Sequence, residues 1–248
     1  MVARKQIPNI ITLLNLFCGI ESILHLLYFQ NMVMSALFIV LGAVFDFLDG
    51  MVARLLKVSS PMGKELDSLS DVVTFGVSPS LIVVYILMEN GYNKFWLLPA
   101  IVMALMSAYR LAKFNLDNRQ TDSFIGLATP ANAFVWLSIP LVGYLGEKQV
   151  PLWFLSDNGE FFQSYYKILS SPYFIIPILM FCCLLLVAEL PMFSLKFHNL
   201  SWIDNKVRFV FIISSLLLLL LFYFGAIPMI IILYIILSVI NNVIKNRK

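Results

Sequence analysis

Charge is what this sequence has least of. Only 12% of its 248 residues are Asp, Glu, Lys or Arg, about half the roughly 25% usual in soluble domains. Set against 60% hydrophobic residues and a mean hydropathy of +0.90, that scarcity excludes an ordinary water-soluble enzyme and a disordered regulator. The formal net charge of +3 leaves no basic face able to neutralise a phosphate polymer, which excludes a nucleic-acid binder. Histidine is nearly absent. His25 and His198 stand alone and offer no histidine metal site. Cys18, Cys182 and Cys183 all lie in apolar segments; they read as buried structural thiols and carry no information on redox compartment. There is no internal repeat, low-complexity tract or polar domain. What remains is one integral membrane domain over 1–248.

A helix crossing the hydrocarbon layer needs about 20 mainly apolar residues. On that scale an all-α protein with about eight transmembrane helices is expected, near 9–29, 32–56, 64–88, 95–116, 129–146, 172–192, 208–224 and 226–244. Arg4 and Lys5 precede an apolar run, as in a signal peptide, but no small-residue cleavage site follows and the chain continues into the next span. The one sizeable loop, 147–171, holds Trp153, Phe154, Phe161, Phe162, Tyr165 and Tyr166, an aromatic density suited to the headgroup zone.

With the N-terminus inside and eight crossings, 14 of the 17 basic residues fall on the cytoplasmic side. They cluster at Arg4 and Lys5, at Arg54, Lys57 and Lys64, at Arg110, Lys113 and Arg119, at Lys196, Lys206 and Arg208, and at Lys245, Arg247 and Lys248. Only Lys94, Lys148 and Lys167 fall opposite. This asymmetry follows the positive-inside rule and predicts a multi-pass protein of a bacterial cytoplasmic (inner) membrane, with both termini inside.

The acids are more informative than the bases. Asp46, Asp49, Asp67 and Asp71 lie in or beside the second and third spans. An acid at the centre of a membrane helix costs about 2.5–3.5 kcal/mol on insertion scales, so four are not decoration. Pairing with Arg54, Lys57 and Lys64 is the plain alternative. Asp46 and Asp49 share one helix face, with the small residues Gly50 and Ala53 beside them, which lets a ligand or helix approach the backbone. Gly63, Asp67 and Asp71 recur every four residues on the next helix, and Ser59, Ser60 and Pro61 turn the two into a hairpin. Carboxylates so placed repel unless protonated or bound to cations. An oxygen-only donor set suits Mg²⁺, Mn²⁺ or Ca²⁺, and four carboxylates suffice for two ions that can bridge a phosphoryl group. The expected chemistry is phosphoryl transfer at the cytoplasmic interface.

Written out, the segment is Asp46-x2-Asp49-Gly50-x2-Ala53-Arg54-x8-Gly63-x3-Asp67-x3-Asp71. It resembles, with no gap or substitution, the defining motif of the CDP-alcohol phosphotransferase family. That resemblance implies six core transmembrane helices, extra ones in some branches, a homodimer, and transfer of a phosphoalcohol from a CDP-activated donor to a hydroxyl, releasing CMP. It implies two divalent cations, Mg²⁺ or Mn²⁺, on Asp46, Asp49 and Asp67, with Asp71 as general base also reaching one metal. Gly50, Ala53, Arg54 and Gly63 match positions shaping the nucleotide pocket. The stretch Pro8-Asn9-Ile10-Ile11-Thr12-Leu13-Leu14-Asn15 resembles an element contacting the cytidine diphosphate, through Asn9, Thr12 and Asn15; helix capping and packing would equally suit Thr12 and Asn15. The resemblance covers about 5–195, the expected catalytic core, and leaves a C-terminal helix pair near 208–244.

Three further runs resemble the phosphatidylserine synthase branch: Ser70–Pro79, Arg110-Leu111-Ala112-Lys113-Phe114-Asn115, and Phe124–Pro130. That branch often has proline in place of Ala128 and arginine in place of Lys113. It implies CDP-diacylglycerol and L-serine as substrates and phosphatidylserine and CMP as products. A zwitterionic acceptor needs a cation for its carboxylate; Arg110, with its bidentate fork, and Lys113 stand at the expected cytoplasmic end of the fourth span. Both also fit as plain positive-inside residues. Glu189 reads as a buried acid that could receive the serine ammonium or pair with Lys196. A phosphorylated acceptor, glycerol 3-phosphate or inositol phosphate, would call for more clustered cations than Arg110, Lys113 and Arg119. A cation transporter is the rival from another class, but broken helices and repeats are missing.

Overall fold

The structure, a computed structural model, describes residues 2–58, 60–116, 124–152, 159–193 and 201–246. Ser59, Arg119, Trp153, Phe154, Lys196, His198, Arg247 and Lys248 lie outside the described residues, as do the side chains of Arg4, Lys5 and Lys245.

Helix α1 (Val2–Leu27) begins well before the expected span and carries Pro8 inside it. Its buried stripe is polar: Asn9, Thr12, Asn15 and Ser22 recur at helical spacing, with Cys18 and Leu26 between and beyond. Helix α2 (Met32–Leu56) is capped by Asn31, whose side chain accepts from the Met34 amide, and ends where Lys57 turns left-handed at φ 51°. The two helices pack along each other, and the hydroxyls of Ser22 and Ser35 hydrogen-bond at 2.9 Å in the interface. Lipid gives no hydrophobic reason for helices to associate, so close packing and such bonds hold them together.

The expected third span is two helices. α3 (Pro61–Asp71) starts on a Ser60 cap that accepts from the Gly63 amide at 2.9 Å, with Pro61 at the first helical position. A wide-wound π turn over Val72–Val77 joins it to α4 (Ser78–Glu89). The turn is tied to α1: Thr74 Oγ1 donates to the Asn15 carbonyl at 3.0 Å, and Ser78 Oγ to the Gly19 carbonyl at 3.0 Å. A short 3₁₀ turn, Lys94–Leu97, leads into α5 (Leu98–Leu116).

Next come a two-residue strand β1 (Phe124–Ile125), α6 (Thr129–Glu147), α7 (Glu160–Leu169) and α8 (Pro172–Val187). The chain leaves helix at Ala188, earlier than the expected 192, and β2 (Pro191–Met192) pairs antiparallel with β1. α9 (Trp202–Phe222) and α10 (Ala226–Asn246) close the chain. The core lies between α4, α6, α7 and α8, around the fully buried Phe75, Ile82, Ile86, Trp136, Leu141, Phe162 and Leu179.

Three expectations change here. Among the described residues five segments are long and apolar enough to span: Gln6–Leu27, Met32–Leu56, Pro61–Glu89, Lys94–Leu116 and Asn205–Val243; counting the α7–α8 pair, bent by 62°, gives six. Eight separate spans are not reached on that criterion. The last segment is not one rod, because the rings of Phe211 and Tyr234 meet at 5.6 Å, so the chain reverses at Tyr223–Gly225. The aromatic segment 147–171 forms α7 and turns its described rings onto protein: Phe161 lies 5.8 Å from Phe222, and Tyr165 Oη donates to the Gly225 carbonyl at 3.3 Å. Glu189 is 59% exposed in its side chain and ion-paired with Lys113 at 3.1 Å, so it is neither buried nor short of a partner. Leaving the helix at Ala188 is what swings it outward.

Candidate active site

Helix geometry stacks Asp46 and Asp49 one turn apart on α2, and α3 brings Asp67 against them. One carboxylate oxygen from each of Asp46, Asp49 and Asp67 lies within 4.8 Å of the other two. Asp71, the fourth expected acid, stands outside that tightest group but is buried beside it, interacting electrostatically with Asp46 and Asp67. The hairpin is not a closed helix pair. α1 packs on both α2 and α3 and supplies the polar groups between them.

Thr12 Oγ1 donates to Asp49 Oδ2 at 2.6 Å, and Asn15 Nδ2 donates to Asp71 Oδ1 at 3.1 Å. Each bond holds one named oxygen of its carboxylate, and Asp49 also meets the Gly50 amide. No lysine or arginine of the described residues lies within ion-pair distance of the four acids. The plain alternative of local charge pairing is therefore not what is built: Arg54 is exposed, and Lys64 Nζ donates to the Asn115 carbonyl at 2.7 Å. Each ionised pair at this spacing repels by roughly 3–4 kcal/mol at an effective dielectric of about 20. Asp67 Oδ1 is moreover buried with no hydrogen-bond partner among the described residues. Three convergent carboxylates with an orphaned oxygen and no sulfur or nitrogen donor fit a hard divalent cation.

Beside the acids opens a cavity of about 280 Å³ lined by Pro8, Asn9, Thr12, Asp49, Gly50, Ala53, Val58, Ser60, Gly63, Lys64 and Asp67. It gathers five of the seven residues expected at the nucleotide: Asn9, Thr12, Gly50, Ala53 and Gly63. Asn15 lies deeper, on Asp71, and Arg54 Nη2 lies 4.0 Å from where a Gly50 Cβ would stand. Gly63 lies close to two polar side chains: a Cβ there would sit 2.9 Å from Asn9 Oδ1 and 3.1 Å from the capping Ser60 Oγ. Val58, Ser60 and Lys64 were missed as lining residues; Lys64, one turn before Asp67, was legible as a positive-inside charge and as a candidate partner of the acids.

The two expected acceptor cations separate. Arg110 is buried, its Nη1 donating to Thr129 Oγ1 at 2.9 Å and its guanidinium 5.8 Å from the Phe114 ring centroid, while its Nε has no partner among the described residues. Lys113 points outward to Glu189. A narrow cleft touches both, closed by Phe114, Ile125 and Leu186 to Ala188.

These features define a multi-pass α-helical membrane protein with a buried, oxygen-only acidic site opening on a polar cavity. Sequence comparison narrows the class. The pattern of the CDP-alcohol phosphatidyltransferase family matches residues 5–156, more than half the chain, and the protein belongs to that family. Similar proteins include a CDP-diacylglycerol–serine O-phosphatidyltransferase of Bacillus subtilis, 41% identical over 126 residues, covering 51% of this chain and 70% of that one. The enzyme of the same name from Helicobacter pylori is 39% identical over 128 residues, covering 51% of this chain and 53% of the relative. That of Methanocaldococcus jannaschii is 40% identical over 138 residues, covering 56% and 59%. The match thus spans little more than half the length of the second and third relatives.

Proposed function

We propose that the protein transfers the phosphatidyl group of CDP-diacylglycerol to the hydroxyl of L-serine, giving phosphatidylserine and CMP. The observation that carries this reading is the convergence of Asp46, Asp49 and Asp67 within 4.8 Å, with no ion-paired lysine or arginine among the described residues, beside a cavity lined by the motif's Gly50, Ala53 and Gly63. The names of the relatives support the choice of serine.

Two divalent cations, Mg²⁺ or Mn²⁺, on Asp46, Asp49 and Asp67, with Asp71 reaching one, would neutralise charge on the transferring phosphoryl group and departing CMP. Thr12, holding Asp49 Oδ2, would orient that carboxylate toward the metal. The cytidine diphosphate occupies the cavity between Asn9, Thr12, Gly50, Ala53 and Gly63, with Arg54 reaching it from the exposed side and Asn15 from its deep end, while the acyl tails stay in lipid. Asn15 holds Asp71 Oδ1, so Oδ2 is the oxygen that takes the serine proton. A carboxylate is far too weak a base to deprotonate an alcohol outright, so proton transfer accompanies attack on phosphorus. Arg110 receives the serine carboxylate, with Lys113, its charge offset by Glu189, lining the same cleft. The active site and both termini face the cytoplasm of a bacterial inner membrane, and the single membrane domain works as a homodimer, its core near 5–195 and its last helix pair near 208–244 outside that core.

Purified protein supplied with CDP-diacylglycerol and Mg²⁺ or Mn²⁺ should release CMP with serine, and little with glycerol 3-phosphate or inositol phosphate. No CMP with serine would sink the acceptor assignment. Arg110→Ala should raise the serine KM far more than the donor KM.

A further inference from the structure

The family pattern ends at residue 156, yet a chain of bonds runs from the last helix to Arg110. Tyr234 Oη on α10 donates to the Phe193 carbonyl at 3.0 Å, and Asn242 Nδ2 donates to the Pro191 carbonyl. The Tyr234 ring also packs on Phe193 at 4.9 Å. Together they hold β2, which pairs residue for residue with β1. Immediately after β1, the Gly126 amide donates to the Leu190 carbonyl and the Leu127 amide to the Leu185 carbonyl, both at 2.9 Å. Gly126 sits at φ +73°, and a Cβ there would meet the Ala188 carbonyl at 2.9 Å, so the segment is seated against the end of α8. Two residues on, Thr129 is the one hydrogen-bond partner of Arg110 among the described residues.

We infer that Tyr234 and Asn242 are positioning residues for the acceptor: through β2 and β1 they fix Thr129 and so aim the Arg110 guanidinium. This rests on the reading that Arg110 meets the serine carboxylate. The C-terminal helix pair is then part of the acceptor machinery, although none of its described residues lines the nucleotide cavity. Arg110 is buried, with its Nε unpartnered among the described residues; the Phe114 ring lies beside its guanidinium and Asp71 and Tyr234 are near enough to act on its charge, so Thr129 supplies the hydrogen bond that sets its direction. A shift of that hydroxyl moves the fork that a planar carboxylate must match.

Two variants of the full chain test this. Tyr234→Phe removes only the hydroxyl and keeps the ring contacts; Asn242→Ala removes the second bond. Hydrogen exchange of the amides over 124–129, measured in detergent or nanodiscs, should quicken in both. The serine KM should rise roughly three- to tenfold, the worth of one typical net hydrogen bond, with the CDP-diacylglycerol KM unchanged. Unchanged exchange would overturn the brace. Faster exchange with an unmoved serine KM, or with both KM values rising together, would overturn the positioning role. If Arg110→Ala leaves the serine KM unmoved, the acceptor reading falls instead, and exchange tells that failure apart because it involves no substrate.

Discussion

At Asp71 the two carboxylate oxygens have different surroundings, and the difference sets what a substitution does. Oδ1 accepts from Asn15 at 3.1 Å; an asparagine at 71 keeps an oxygen for that bond and nearly the same volume but cannot take a proton. Asp71→Asn should lower kcat at least about a hundredfold, the usual contribution of a general base. Metal-dependent binding of CDP-diacylglycerol should remain measurable by titration. Full activity would remove Asp71 from the mechanism. Thr12 differs in kind, because its bond to Asp49 orients a carboxylate proposed as a metal ligand and touches no reacting atom. Hydrogen bonds to charged groups are worth about 1.5–3 kcal/mol, so Thr12→Val should raise the Mn²⁺ concentration for half-maximal activity by roughly tenfold or more. An unchanged metal requirement would dismiss that role. The acids were legible in the sequence because charges inside apolar runs stand out, and their spacing alone put two of them on one helix face. The orienting bonds were less so. Thr12 meets Asp49 across 37 residues and Asn15 meets Asp71 across 56, and both sit where capping or packing would equally have explained them.

Between residue and molecule, the least legible element is the π turn that follows Asp71. Periodicity reads 64–88 as one helix, since an extra residue in a single turn barely alters an apolar pattern. The turn is made by tertiary bonds: Thr74 and Ser78 each donate to carbonyls of α1, 59 residues away. Such wide turns inside helices often mark functional sites, and this one fixes the end of α3 on which Asp71 stands. Close approach of α2 is the other condition. A Cβ at Gly42 would lie 2.6 Å from Thr74 Cγ2 and 3.1 Å from Asn15 Oδ1. Gly42→Ala should therefore push Thr74 and Asn15 together, at an overpacking cost of about 1–3 kcal/mol, and lower kcat as Asn15 loses its hold on Asp71. Thr74→Ser removes the clashing methyl and keeps the hydroxyl. Combined with Gly42→Ala it should restore most of the lost rate, and a double variant no better than Gly42→Ala alone would show that the defect arises elsewhere.

For the whole molecule the open quantity is how many times the chain crosses, and α6 decides it. α6 falls short of the apolar criterion that five other segments meet, but its threonine, asparagine and serine residues do not face lipid. Thr129, Asn132 and Ser138 are buried, with Asn132 accepting from Trp136 Nε1 at 3.1 Å and Ser138 donating to the Val135 carbonyl at 2.6 Å. Hydropathy counts a residue's polarity wherever it points, whereas only the lipid-facing surface, and backbone groups left unpaired in lipid, oppose insertion. A 19-residue helix, about 28 Å long at 1.5 Å per residue, buried on its polar side, can span a hydrocarbon layer of about 30 Å. The bent α7–α8 pair can return the chain. Sidedness of introduced cysteines tests both crossings, and the three native cysteines are buried and will compete little. The exposed Lys94, Lys148 and Lys206 precede α5, follow α6 and lie on α9. Lys94→Cys and Lys148→Cys should react with a membrane-impermeant maleimide from the outer side, and Lys206→Cys only in inverted vesicles. Lys148→Cys reacting from the inner side would mean that α6 does not cross. Lys206→Cys reacting from the outside, with Lys148→Cys also outside, would mean that α7–α8 does not return. Either result would break the 14-to-3 division of the 17 basic residues and with it the argument for a cytoplasmic active site.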